Sequence, residues 1–298
     1  FAGQGAQYPG MGQELAQCSP AAAEIFAKLD ALRPGTSAQC FGGTDEELKE
    51  TKNTQPCMFA VELAAAAALE EGGLRADMAA GFSLGEIGAL TYTRAVDLET
   101  GFHLVCRRGE LMQAAAEEQP TAMAAVLKLS NEEVEQICAQ FAQVYPVNYN
   151  CPGQVSVACA KEQLAPFSAA VKAAGGRALP LKVRGGFHSP FMATAAQGFA
   201  QVLEECRVGQ PEMPLYSNRT GAVYEGDPKP LLSQQIASPV RWETIVRNMI
   251  AAGADTFVEL GPGKTLCGLI EKIDKTVKTY ALSTQADLET ILKEVKGC

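Results

Sequence analysis

The sequence predicts an α/β protein: one large α/β domain interrupted by a small inserted one. Three observations predict it. Short strand-like runs that end in glycine turns alternate with Ala- and Leu-rich segments of helical spacing near both ends of the chain. The character changes near Pro120, where six predicted elements follow in the order β-α-β-β-α-β, the ferredoxin-like pattern. The Ala-rich style then returns after Gly185-Gly186. The large domain is therefore assigned to residues 1–119 and 185–298, and the small one to 120–184.

Taken in order, the first stretch reads as a Gly-rich loop followed by helices. Ala21 to Leu32 and Pro56 to Glu71 space their apolar residues helically, and the Ala64 to Ala68 run reads as buried helix. Asp77 to Ala80 is a small-residue strand, followed by the turn Gly81-Phe82-Ser83-Leu84-Gly85 and a helix from Glu86. Asp97 to Ala116 is a long helix with Asp97 as its N-cap, because a carboxylate there accepts from an orphan backbone N–H. In the insert, Met123 to Leu129 is a strand and Asn131 to Phe141 a helix. Tyr145 to Asn150 and Gln154 to Ala160 form a strand pair. Gln163 to Ala174 is a helix stopped by Gly175-Gly176, and Arg177 to Val183 is the closing strand. Beyond it, Pro190 to Glu205 is helical, Thr256 to Leu260 is a strand ending in Gly261-Pro262-Gly263, and Leu266 to Ile273 is a helix.

Composition narrows the function classes. With 47% hydrophobic and 20% charged residues, the 298-residue chain can bury a large core, which excludes disorder. A net charge of −9 repels nucleic acid and anionic membrane, and no basic run offsets it. No window is apolar for long enough to span a membrane. The opening FAGQGAQ lacks the features of a signal peptide and reads as the middle of a strand whose first residues would precede Phe1. The ten cysteines are scattered, with no CxxC and no zinc spacing, so they read as small buried residues in a reducing compartment. A cytoplasmic protein without structural disulfides, metal or cofactor is expected, and a monomer.

The strongest chemical signal is Gly81-Phe82-Ser83-Leu84-Gly85, a GxSxG between a strand and a helix. A nucleophilic serine must project from a sharp, strained turn, so the residues two away must be small. The N–H of Leu84 then points toward a developing oxyanion. A serine nucleophile needs a base, and the chain has two histidines. His103 sits inside a helical run and reads as an ordinary helix residue. His188 sits in a glycine-rich break before a helix, where catalytic groups are commonly mounted. Two lookalikes fail. Gly261 to Thr265 ends like a P-loop, but the first glycine would fall at Val258, and Asn218-Arg219-Thr220 is a glycosylation sequon without meaning in the cytoplasm.

At this point the segments become specific together. GQGAQ at 3–7, NTQP at 53–56, GFSLGE at 81–86, RRGELMQ at 107–113, NCPGQ at 150–154, GGFHSPFM at 185–192, SPVRW at 238–242 and ELGPGKTL at 259–266 stand in one order along nearly the whole chain. In these the chain resembles the malonyl-CoA:acyl carrier protein transacylases, which load malonyl units for fatty acid synthesis. The resemblance implies an α/β-hydrolase-like large domain. It implies Ser83 as nucleophile, His188 as base, and a backbone carbonyl, that of Arg241, to orient the histidine. It implies that the N–H of Gln4 completes the oxyanion hole with Leu84, and that Arg108 binds the malonyl carboxylate. Gln55 and Asn150 match positions near the site, and Phe187 matches the malonyl-selective pattern, its bulk crowding a 2-methyl branch. One departure is Phe82, which stands where many members have His.

A carboxylate on the acyl group demands a fixed cation, and a guanidinium meets it with two parallel hydrogen bonds. Read without the resemblance, Arg107-Arg108 is a solvated pair on a helix face. The implied reaction is ping-pong transfer from malonyl-CoA, through a malonyl-Ser83 ester, to the phosphopantetheine thiol of acyl carrier protein. Hydrolysis, as in esterases, and transfer in a polyketide pathway use the same groups and stay open. A non-catalytic carrier-binding module is poorly supported, since nucleophile and base are both present. Acyl carrier proteins are acidic and so is this chain, so docking needs a local basic patch. Lys182 and Arg184, at the exit of the small domain toward His188, are the candidates, with Arg177 and Lys172 behind them.

Overall fold

The computed structural model describes residues 1–183 and 185–295 and is a mixed α/β structure. Eight strands lie among the described residues: β1 (Ala79–Ala80), β2 (Thr121–Leu127), β3 (Val144–Cys151), β4 (Gln154–Ala160), β5 (Arg177–Pro180), β6 (Leu215–Tyr216), β7 (Thr256–Leu260) and β8 (Lys278–Leu282). β1 pairs with β6 and β7 with β8, both parallel. The start of the chain runs between the two pairs. The Phe1 backbone nitrogen donates to the Ala80 carbonyl, Phe82 N–H to the Phe1 carbonyl, and Ala2 N–H to the Leu260 carbonyl, each at 2.9–3.0 Å. Ser83 is thereby mounted where these strands end and the helix Gly85–Tyr92 begins.

Two long helices flank the site. Thr51–Glu71 buries nearly every residue from Thr54 to Leu69, including most of the Ala64 to Ala68 run, because alanine lets neighbouring elements approach from several sides. Leu98–Glu118 packs beside it. Asp97 caps that helix by accepting from Thr100 N–H at 2.7 Å, as its sequence predicts. Where the two helices cross, a Cβ on Gly109 would stand 2.9 Å from the Thr51 carbonyl oxygen and 3.1 Å from Lys52 Cα. A glycine is required there for contact, and that contact sets Arg108 against Gln55.

The strands β2 to β5 form one antiparallel sheet in the order β3-β4-β2-β5, with the helices Asn131–Cys138 and Leu164–Ala173 between them in sequence. They share an apolar cluster of their own, which includes Val126, Val134, Val155, Phe167 and Val171. Ser130 and Glu133 close a capping box on the first of these helices. The sheet is tied to the rest of the chain beside the site: Tyr149 N–H donates to the Val240 carbonyl and Val240 N–H to the Val147 carbonyl, both at 2.9 Å.

Several boundaries differ from those expected. The strand expected over Arg177 to Val183 stops at Pro180, on the sheet edge, where a residue without an N–H is tolerated. The segment expected as one helix over Pro190 to Glu205 begins with a 3₁₀ turn, Pro190–Met192. β6 and β8 were not foreseen, nor were the helices Lys229–Gln235, Trp242–Ala251 and Gln285–Val295. No described helix is long and apolar enough to cross a membrane.

Candidate active site

Ser83 sits at the tip of a turn that only glycine neighbours permit. A Cβ on Gly81 would lie 2.0 Å from the Gly85 carbonyl, and one on Gly85 would lie 2.4 Å from the Phe1 and Ala2 carbonyl oxygens. Ser83 itself has φ 57°, a left-handed conformation that a non-glycine residue holds only when its surroundings enforce it. Asn218 enforces it. Its Oδ1 accepts from Ser83 N–H at 2.7 Å and its Nδ2 donates to the Gly81 carbonyl at 2.5 Å, so one side chain clasps both arms of the turn. Asn218 is fully buried, so the sequon it begins is a structural device.

His188, also left-handed at φ 60°, brings Nε2 to 2.7 Å from Ser83 Oγ. Its Nδ1 lies 3.0 Å from the Gln235 backbone carbonyl. A carbonyl only accepts, so Nδ1 carries the proton and Nε2 presents a lone pair to the serine hydroxyl. Burial, and then the charge of Arg108, push the His188 pKa down to about 4, which keeps the imidazole neutral with its Nε2 lone pair free to accept a proton. The carbonyl is therefore that of Gln235 and not, as expected, that of Arg241. Arg241 immediately precedes the helix Trp242–Ala251, and its carbonyl is committed to Ile245 N–H at 3.0 Å. Its own N–H donates to the Asn218 carbonyl at 2.8 Å, so it supports the clasp on the serine turn. His103 is exposed on the helix Leu98–Glu118.

The Arg107-Arg108 pair divides between two faces of that helix. Arg107 is exposed and pairs with Glu110. Arg108 is 1% exposed. Its Nη1 donates to Gln55 Oε1 at 2.9 Å, and its Nη2 to Gln235 Oε1 at 2.8 Å and Ser83 Oγ at 3.2 Å. Its Nε–H is buried without a partner. Burial lowers its pKa to about 10, so it remains a cation at neutral pH, with only neutral groups in direct contact. Such a guanidinium, 3.2 Å from a nucleophile, is prepared for an anionic group on whatever the serine attacks.

A cavity of 270 Å³ opens beside the pair; Gln4, Phe82, Asn150 and Phe187 line it along with Ser83 and His188. Gln4 Nε2 reaches Thr51 Oγ1 at 3.4 Å. Asn150 Nδ2 donates to Ser156 Oγ at 3.2 Å, and its buried Oδ1 has no partner. Phe82 packs edge-on against Trp242, with ring centroids 5.5 Å apart, so the position holds an aromatic wall and not a hydrogen-bonding group. Leu84 is fully buried behind the serine. A second cavity, 620 Å³, lies elsewhere between β1 and β7, and neither Ser83 nor His188 lines it.

Comparison with known proteins fits this geometry. Residues 1–292 match the family described as "Acyl transferase domain". The malonyl CoA-acyl carrier protein transacylase of Bacillus subtilis (strain 168) is 36% identical over 304 aligned residues, covering 99% of this chain and 96% of that one. The chain belongs to the acyl transferase family. Among solved structures, the malonyl CoA-acyl carrier protein transacylase from Clostridium perfringens superposes with a TM-score of 0.96 at 33% identity, covering 100% of this chain and 96% of that one. The complex of a type II PKS acyl-carrier protein with its malonyl-transacylase superposes with a TM-score of 0.94 at 36% identity, covering 98% and 97%.

Four residues of this acyl transferase site were invisible in the sequence. Gln235 is its hub: the carbonyl holds His188, Oε1 holds Arg108, and Nε2 donates at 2.7 Å to both the Ser83 carbonyl and Glu86 Oε2. Glu86 also accepts from Asn218 N–H at 2.9 Å and Tyr224 O–H at 2.6 Å. Burial pushes its carboxyl up to about 7 against these donors. Lone polar residues far apart in sequence carry no local signal; Glu86 stands in GFSLGE and Asn218 in the sequon, and neither motif points to these contacts. Of the basic candidates, Lys182 is exposed between Leu181 and Val183, which line the cavity, and lies beyond β5. Lys172 and Arg177 are also exposed, and Arg184 lies outside the described residues.

Proposed function

We propose that this chain moves a malonyl group from malonyl-CoA to the phosphopantetheine thiol of acyl carrier protein, supplying extender units for fatty acid synthesis. The observation that carries this reading is Arg108, a buried cation with neutral contacts held 3.2 Å from the nucleophile. Ser83 Oγ attacks the thioester carbonyl as its proton passes to His188 Nε2. The Gln235 carbonyl at Nδ1 stabilises the imidazolium, and the backbone N–H groups of Gln4 and Leu84 receive the oxyanion. The intermediate collapses and CoA leaves as its thiol, taking the proton from His188. The carrier thiol then gives its proton to His188, attacks the malonyl-Ser83 ester, and releases Ser83 with that proton returned. Nucleophile, base and cation all come from the chain, so the scheme needs no metal or cofactor. Apolar walls at Phe82, Met112, Met123 and Phe187 favour a thiol over water as the second acceptor.

The test is intact-mass and peptide analysis after incubation with malonyl-CoA or acetyl-CoA, without carrier protein. One malonyl group should appear on Ser83, far faster than an acetyl group. An adduct mapped to another residue, or equal loading by acetyl-CoA, would overturn the reading.

We also assign residues 120–184 as a ferredoxin-like domain inserted in an α/β-hydrolase-like domain formed by 1–119 and 185–298. Support comes from the strand order β3-β4-β2-β5 with its own apolar cluster, and from the parallel pairs that carry the serine turn. Lys182, at the cavity rim, and Arg184 are proposed to dock the acidic carrier. Lys182→Glu should raise the KM for carrier protein severalfold and flatten its salt dependence, leaving self-loading unchanged. Equal damage to both half-reactions would place Lys182 on the CoA side.

A further inference from the structure

Glu86 touches neither Ser83 Oγ nor His188, yet it is fully buried beneath them and bonded to the residue that joins them to Arg108. The sense of the Gln235 amide follows from its neighbours. One end stands 2.7 Å from the Ser83 carbonyl and 2.7 Å from the Glu86 carboxylate, both acceptors, so that end is the NH₂. The oxygen then faces Arg108 Nη2 at 2.8 Å. The amide lies between the Arg108 cation and the Glu86 carboxyl oxygen, its oxygen toward the first and its NH₂ toward the second.

We propose that Glu86 is a positioning residue that fixes the sense of the Gln235 amide, so that its oxygen holds Arg108 in place for the acyl carboxylate. The proposal rests on the reading that Arg108 binds malonyl. Glu86 Oε1 already accepts from Asn218 N–H and Tyr224 O–H, so it must remain an oxygen, and the Asn218 donor is backbone and cannot reverse. Oε2 is the atom that sets the amide. In Glu86→Gln the amide oxygen takes the Oε1 place, and a second NH₂ confronts the Gln235 NH₂ across 2.7 Å. Relief requires Gln235 to turn over. That sets its NH₂ against the Arg108 guanidinium and its oxygen against the Ser83 carbonyl. In Glu86→Ala nothing confronts Gln235, and the Ser83 carbonyl still holds the NH₂ in its original sense.

Both variants remove the carboxyl group, so their difference isolates the amide. Steady-state rates with malonyl-CoA and acetyl-CoA, together with thermal melting, separate the alternatives. Glu86→Gln should lower the malonyl-to-acetyl ratio about tenfold or more, the scale of a misplaced hydrogen bond to a charged group. Glu86→Ala should lower the ratio less, although its cavity makes it the less stable protein. A residue that only supports the fold would give the opposite ranking, with the isosteric glutamine milder in both measurements, and that result would overturn the proposal. Should neither variant fold, Gln235→Met carries the test. It removes the amide while its backbone carbonyl remains for His188, so the ratio should fall, and an unchanged ratio would overturn the proposal. Wild-type protein in the same assay separates the two levels: no malonyl preference there refutes the reading of Arg108 itself.

Discussion

Arg108→Ala should lower kcat/KM for malonyl-CoA by about 10²–10³ and leave the value for acetyl-CoA within about tenfold of wild type. The asymmetry follows from the environment. Arg108 is a buried cation whose direct contacts are the amide oxygens of Gln55 and Gln235 and the hydroxyl of Ser83, and its Nε–H is unpaired. A malonyl carboxylate supplies the missing anion; an acetyl group leaves the site as it was. Removing the guanidinium therefore takes away an interaction that only malonyl makes. Arg108→Lys should recover little, because one ammonium cannot serve two amides and a carboxylate from the place of a planar fork. Parallel thermal melts are needed, since truncation also strands the two amide oxygens. A ratio of malonyl to acetyl rates that survives Arg108→Ala would mean that another group holds the carboxylate. Arg107 is a poor candidate, because it faces solvent and pairs with Glu110.

The serine turn was legible in the sequence because its physics is local. Five adjacent residues carry the strain, and both glycines have a steric reason that can be stated before any coordinates. The β-α-β-β-α-β order over 121–180 was legible for a related reason: its strands pair within one contiguous stretch. β6 and β8 escaped notice because two residues make too short a pattern, and because β8 is mostly half-buried, with little alternation.

Arg108 shows where residue patterns alone stop. Two adjacent arginines on a helix look alike in sequence, and the resemblance to a family, not their spacing, selected the second. Burial then separates them, because Gly109 lets the helix Thr51–Glu71 close over one and not the other. The orienting carbonyl was misassigned to Arg241 because every residue has a carbonyl and no side chain advertises which one is free. Gln235 and Asn218 were illegible for want of locality: they bond the serine backbone across 152 and 135 residues of chain.

His188→Ala should slow both loading from malonyl-CoA and transfer to the carrier by about 10³–10⁴, because each half-reaction moves a proton through the same Nε2. The pH dependence of the wild type gives a sharper result. A base acts while deprotonated, so activity is lost as pH falls through its pKa. Burial and the Arg108 charge hold that pKa at about 4 in the free protein, below the ordinary 6.5. The acid limb of kcat/KM, read with acetyl-CoA so that no malonyl carboxyl titrates beside it, should therefore lie near pH 4. Malonyl binding neutralises Arg108 and removes the second of the two causes. The limb of kcat with malonyl-CoA should therefore stand at higher pH than that of kcat with acetyl-CoA, which leaves the arginine charge in place. In Arg108→Ala the acetyl limb should itself rise toward 6.5 while the malonyl and acetyl limbs converge. An acid limb near 6.5 in the wild type with acetyl-CoA would mean that His188 is solvated in the working protein. Limbs that stay apart in Arg108→Ala would mean that the arginine charge is not what separates them.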